Sequence, residues 1–203
     1  RPADGFMGAQ PESQIKAFVE RLLGGGGDAD LEQLLALGEE SFSVGDIGGA
    51  AQAFAEALQA APENPKAIAG LAKAYLAGGD AERAIEILDM APEAAATDPD
   101  IVSVRTSLEL AEEAKHAGDP NVLRARLAEN PKDHAARFDL ARALIGRGDL
   151  ESASDALLDI IAVNKDWNEG AARALLLKIF DASGPGSDLA KSGRRRLSSI
   201  LFS

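Results

Sequence analysis

Two histidines, His116 and His134, and 33 carboxylates are the side chains best equipped for chemistry in these 203 residues. Neither histidine has a nearby cysteine or a second histidine four residues on, the spacing that sets two ligands on one helix face for a metal ion. Both are expected as solvated surface residues, and no metal site or cofactor is expected. With 0 Cys, the chain itself offers no thiolate ligand, disulfide or redox dithiol. Carboxylates spread over helix faces serve as caps and solvation rather than as an acid/base pair. The run Gly24 to Gly27 lacks the preceding strand and the Lys-Ser/Thr ending that a phosphate loop needs. No catalytic residue is assigned, and the chain is not expected to be an enzyme by itself.

The composition says which elements must carry any function. Hydrophobic residues make up 46% of the chain and aromatic ones 4%, with Ala, Leu and Glu in place of the Val, Ile and Tyr of a β protein. A folded, all-α protein is expected. The formal charge of -12 repels a phosphate backbone, so nucleic acid is not an expected partner. No apolar run approaches the roughly 20 residues of a membrane span, and no signal peptide is evident, so a soluble cytoplasmic protein is expected. The start at Arg1, in mid-pattern, leads us to expect a fragment of a longer protein.

Four Gly-Asp pairs, at 45–46, 79–80, 118–119 and 148–149, stand between apolar-periodic segments. Glycine suits the left-handed residue that closes one helix, and aspartate accepts from the free N–H groups that open the next. Each pair therefore predicts the turn of a helical hairpin. Ala50 and Ala84, and Ala57 and Ala91, recur 34 residues apart. That is the tetratricopeptide period, and Leu34, Leu37, Gly38, Ser41, Ala50, Phe54, Ala57 and Pro62 resemble the pattern of that family. Ile68, Leu71, Ala72, Tyr75, Ala84, Leu88 and Ala91 repeat it, and Leu140, Ala141, Leu144, Ala153 and Leu157 repeat it again. The third unit is irregular, because its Gly118-Asp119 comes late. It should be the most distorted hairpin, with a second helix about one turn short. The expected fold is a tetratricopeptide solenoid of about four hairpins over residues 30–166, followed by capping or docking helices over 167–203.

Upstream, residues 1–23 read as a strand and an amphipathic helix, with Ile15, Phe18, Val19, Leu22 and Leu23 apolar, and residues 24–29 read as a glycine-rich linker. The segment "GAQPESQIKAFVERLL" resembles the closing strand and helix of a thioredoxin-like domain. With the irregular array and the ending "WNEGAARALLLKIF...GPG...RRRLSSILF", the chain resembles the chaperedoxins, bacterial thioredoxin-like proteins with a C-terminal tetratricopeptide array. That resemblance implies a holdase-type chaperone that binds unfolded client proteins and delivers them to the chaperonin.

Two columns of residues on the first helix of each unit are apolar: Leu35, Ala69, Val104 and Phe138, and, seven residues further on, Phe42, Leu76, Ala111 and Ile145. Leu35 and Glu39 stand where a carboxylate-gripping array would carry Lys, Asn and Arg donors, so that clamp is not supported. The columns either form an apolar groove for exposed client segments or pack on one another in a tight superhelix. On the last helix, Lys191, Arg194, Arg195 and Arg196 precede Leu197, Ile200, Leu201 and Phe202. This basic, amphipathic end either complements its own helix dipole or docks on an acidic partner such as the chaperonin. A scaffold for one folded partner, and an accessory part of an oxidoreductase with its dithiol upstream, remain alternative readings.

Overall fold

The computed structural model describes residues 27–202. The strand, helix and glycine-run assignments for residues 1–26 lie outside the described residues. Among those described there is no strand. Ten α-helices follow one another: α1 (Gly27–Ser43), α2 (Ile47–Ala60), α3 (Pro65–Ala77), α4 (Ala81–Leu88), α5 (Pro99–Ala114), α6 (Pro120–Glu129), α7 (His134–Ile145), α8 (Leu150–Val163), α9 (Ala171–Ala182) and α10 (Asp188–Phe202). Short 3-10 turns at Glu93–Ala95 and Trp167–Gly170 join α4 to α5 and α8 to α9. Helix α1 already begins at Gly27, inside the stretch expected as linker.

The Gly-Asp pairs do what their chemistry predicts. Helices end at Ser43, Ala77, Ala114 and Ile145, just before each pair. Gly45, Gly79 and Gly148 take φ of +82°, +85° and +76°, the left-handed region that a side chain resists. In the same three turns the backbone N–H of Asp46, Asp80 and Asp149 donates to the carbonyl of Ser41, Tyr75 and Leu144 at 2.9, 2.9 and 3.0 Å. This is the Schellman closure of a helix. The aspartate carboxylates then accept from Gly49, Arg83 and Ser152 N–H at 2.9, 3.1 and 3.1 Å and open the next helix.

The third pair is different. Asp119 caps α6 through Asn121 N–H at 2.8 Å, but Gly118 is not left-handed and no equivalent closing bond forms. Helix α6 has 10 residues against 14 in α2 and α8, the expected loss of one turn. The larger distortion is in packing: α1 lies along α2, α3 along α4 and α7 along α8, whereas α5 and α6 barely touch. Helix α4, with 8 residues, is shorter still, a shortening the repeat pattern does not announce.

Glycines set how closely the helices approach. The Phe54 ring lies against Gly38 of α1 and Gly70 of α3, where a Cβ would stand 2.7 and 2.5 Å from it. At the other end, a Cβ on Gly193 of α10 would stand 2.3 Å from the Phe180 ring. The repeating alanines Ala50, Ala84 and Ala153 are all fully buried, as the pattern requires. Leu37 is 52% exposed, whereas Leu71, its equivalent 34 residues on, is 5% exposed and sits in the core of the first unit.

Helices α9 and α10, the expected capping or docking helices, form a fifth hairpin, and α9 turns inward. It packs on α8 as the next repeat should, and equally on α5, two units back. Leu175, Leu176, Ile179 and Phe180 all join the large core of the C-terminal half.

Candidate functional site

The concave face is built from the first helices of the hairpins, and it divides into an open and a filled stretch. The open stretch is a groove of about 430 Å³ whose walls are α1 and α5 and whose floor is α3. Phe42 and Ser43 come from α1, Ala69, Gly70 and Lys73 from α3, and Ser103 and Val104 from α5. Leu35 and Phe42 are half-buried against the core of the first unit, and Leu76 against that of the second. Ala69 and Val104 pack between α3 and α5 and are almost wholly buried, so they form wall rather than contact surface.

In the filled stretch the occupant is α9. Ser103 Oγ donates to the Ala182 carbonyl at 2.7 Å, closing the end of α9 onto α5. The Lys178 ammonium sits between Glu113 and Glu109 of α5 at 2.7 and 3.1 Å. Those two carboxylates, Glu113 foremost, hold the Lys178 pKa above the ordinary lysine value. Ile145 is 8% exposed within the same core. Phe138 is half-buried with its ring 5.3 Å from that of Trp167, in the turn before α9. Of the apolar columns, Phe42, Ala69 and Val104 line the open groove, Leu35 and Leu76 lie outside its lining, Ala111 is exposed, and Phe138 and Ile145 pack into the C-terminal core.

The turn into α9 is shaped by its backbone. Asn168, Glu169 and Gly170 take φ of 48°, 57° and 81°, three left-handed residues in succession, two of them not glycine. Such backbone persists only where surrounding contacts over-determine it. Here the contact is Trp167, flanked by Phe138 and, edge-on at 6.4 Å, by His134. His134 is accordingly half-buried rather than fully solvated, and its Nδ1 is buried with no hydrogen-bond partner among the described residues. His116 is exposed, as expected. Beside His134, Asp133 has its pKa lowered below the ordinary carboxylate value, first by the N–H of Ala136 that it caps and then by Arg126. No cluster of three or more metal-ligating side chains occurs among the described residues.

Helix α10 is less free than its sequence suggests. Arg194 pairs with Asp181 at 3.0 Å and lies over the Phe180 ring, and Arg196 pairs with Asp155 at 2.5 Å. Leu197 is buried and Ile200 and Leu201 pack on the same core, while Phe202 is 88% exposed. The expected docking set thus shrinks to Arg195 and Phe202, with Lys191 beside them. The other members hold α10 to α8 and α9, a use of the cluster that helix dipole and docking alike left out. The signal missed in the sequence was acidic: Asp155 and Asp181 lie in other helices, where spacing along α10 cannot show them.

Residues 41–108 match one family of tetratricopeptide repeats, and residues 113–202 match a second. The chain carries tetratricopeptide repeats. The second match runs through α9 and α10, in agreement with a fifth hairpin, and neither match reaches residues 1–23. Over 170 residues, 82% of this chain, the sequence is 29% identical to the cellulose synthase 1 operon protein C of Komagataeibacter xylinus, of which it spans only 12%. Among solved structures, a domain of protein VP0806 from Vibrio parahaemolyticus, of unknown function, aligns at 27% identity over 84% of this chain and 99% of that one. The MamA RS-1 ArsTM double mutant aligns at 15% identity over 85% and 93%. Both have a TM-score of 0.39. Tetratricopeptide repeats make the chain a protein-protein interaction module. No helix among the described residues is long and apolar enough to cross a membrane.

Proposed function

We propose that the module belongs to a holdase-type chaperone that takes exposed apolar segments of unfolded clients into the α1–α3–α5 groove, and that it works in the cytoplasm and hands clients to the chaperonin through α10. The observation that carries the reading is the open groove, with the Phe42 ring half-exposed on its wall and no segment of the described chain inside it. A buried Leu or Phe of a client contributes roughly 1.5 to 3 kcal/mol there, enough for many weak, exchangeable contacts. The resemblance of residues 1–23 to the end of a thioredoxin-like domain supports the same reading.

The test is suppression of aggregation of several unrelated unfolded proteins by the chain and by Phe42→Ser. The variant is expected to lose most of the suppression while keeping its helical circular dichroism. Full suppression by a folded Phe42→Ser chain overturns the reading. For the chaperonin, deletion after Gly186 is a poor instrument, because it uncovers Phe180 where Gly193 lies against it. Arg195→Glu with Phe202→Ser spares the core, and is expected to weaken chaperonin association; unchanged association would reject α10 as the docking surface.

A second reading is a scaffold for one folded partner, the other role open to a tetratricopeptide module. Suppression limited to a single client would favour it.

A further inference from the structure

The filled stretch shows how this concave surface holds a helix. Helix α9 turns Leu175, Leu176 and Ile179 into the core and secures itself with one cation, Lys178, between two carboxylates of α5. In the open stretch the polarity is reversed. Helix α3 lines the groove with Lys66 and Lys73, seven residues and two turns apart, hence about 10 Å along the helix. Both are exposed, and neither forms an ion pair among the described residues. Lys73 Nζ stands 4.4 Å from the centre of the Phe42 ring, a cation–π contact that holds the ammonium group at the apolar wall of the groove. The two acids of this groove, Glu39 and Asp100, stand on the flanking walls and are not paired with either lysine.

We infer that the open groove selects an amphipathic helical segment of a partner chain with carboxylates on its apolar stripe, spaced by about two turns to meet Lys66 and Lys73. This rests on the groove being the binding surface, and it adds which segments are preferred. Apolar side chains of the segment meet Phe42 and Gly70, and its carboxylates satisfy the two ammonium groups. Glu39 and Asp100 repel a segment that is acidic all round, so charge confined to the stripe is what the groove distinguishes.

The experiment is fluorescence anisotropy of the whole chain with two labelled, helix-forming Ala/Leu peptides. One carries Glu at two stripe positions seven residues apart, the other Lys at the same positions. The Glu peptide is expected to bind at least tenfold more tightly, with the advantage shrinking as salt is raised. The double variant Lys66→Glu/Lys73→Glu, both positions exposed, is expected to reverse the preference while its circular dichroism is unchanged. Equal binding of the two peptides, or a preference untouched by the double variant, overturns the inference and leaves the groove as an unselective apolar site. Binding of neither peptide also overturns it, and the aggregation assay with Phe42→Ser then decides separately whether the groove holds clients.

Discussion

The N-terminal and C-terminal halves of this array start from similar repeats and finish with different concave faces. In the first half α1, α3 and α5 leave a groove open to solvent; in the second, α9 lies across α5 and the face is core. The difference begins in the third hairpin. There α5 and α6 hardly touch, and α5 packs on α9 instead. A column of apolar residues in a repeat array is a surface only where the superhelix leaves it uncovered.

The strongest way to break this contrast is to empty the filled half. Phe180 is fully buried, and Phe180→Ala is expected to cost about 3 to 5 kcal/mol in denaturant unfolding. It should also change the fluorescence of Trp167, which lies in the turn that leads into α9. Phe42→Ser, on the half-exposed wall of the open groove, should cost distinctly less and leave that fluorescence unaltered. Equal costs would mean that the halves are not different in kind.

Glycine contacts sharpen the comparison one step further. Gly193→Ala drives a Cβ into the Phe180 ring and Gly70→Ala into the Phe54 ring, at 2.3 and 2.5 Å. Each is expected to cost about 1 to 3 kcal/mol through overpacking. The two should differ in readout: Gly193→Ala perturbs Trp167, and Gly70→Ala perturbs the groove and client holding.

The turns should respond by smaller amounts. Asp46→Ala and Asp149→Ala remove a cap that follows a Schellman closure and are each expected to cost about 1 kcal/mol. Asp119→Ala, in the turn without that closure, should cost no more by thermal unfolding; a larger loss there would show that the third turn is more constrained than its backbone implies.

The smallest expected effect is a pH dependence confined to the filled half. The pKa of Lys178 is raised by Glu113 and Glu109, so its contribution is fully present below the ordinary lysine value and is lost as pH rises through the raised one. Alkaline titration should loosen α9, seen at Trp167, and Lys178→Met should abolish that alkaline step. The side chain is 38% exposed, so solvent screens the pair and the change in stability should be modest. A step that persists in Lys178→Met would assign the titration to another group.

Much of the fold is legible along the chain because hairpin turns are local. Gly45-Asp46, Gly79-Asp80 and Gly148-Asp149 announce both a left-handed closure and a cap, and the structure shows both. Even the lost turn of α6 can be counted from the distance between Asp119 and Pro131. The site is less legible. Phe42 and Val104 share the columns of Phe138 and Ile145, and nothing in their spacing separates wall from core. Lys66 and Lys73 are unremarkable in the sequence and become a site feature only when α1 and α5 stand on either side of them.

What the sequence determined by itself is the period, the turns and the helical character, each set by contacts between residues a few positions apart. Tertiary structure decided that α9 returns to α5, that Arg194 and Arg196 bind Asp181 and Asp155, and that Phe138 meets Trp167. Those outcomes depend on how each hairpin is rotated against its neighbours. Small rotations at every interface add along the array, so the place where a distant helix lands follows from all of the interfaces together.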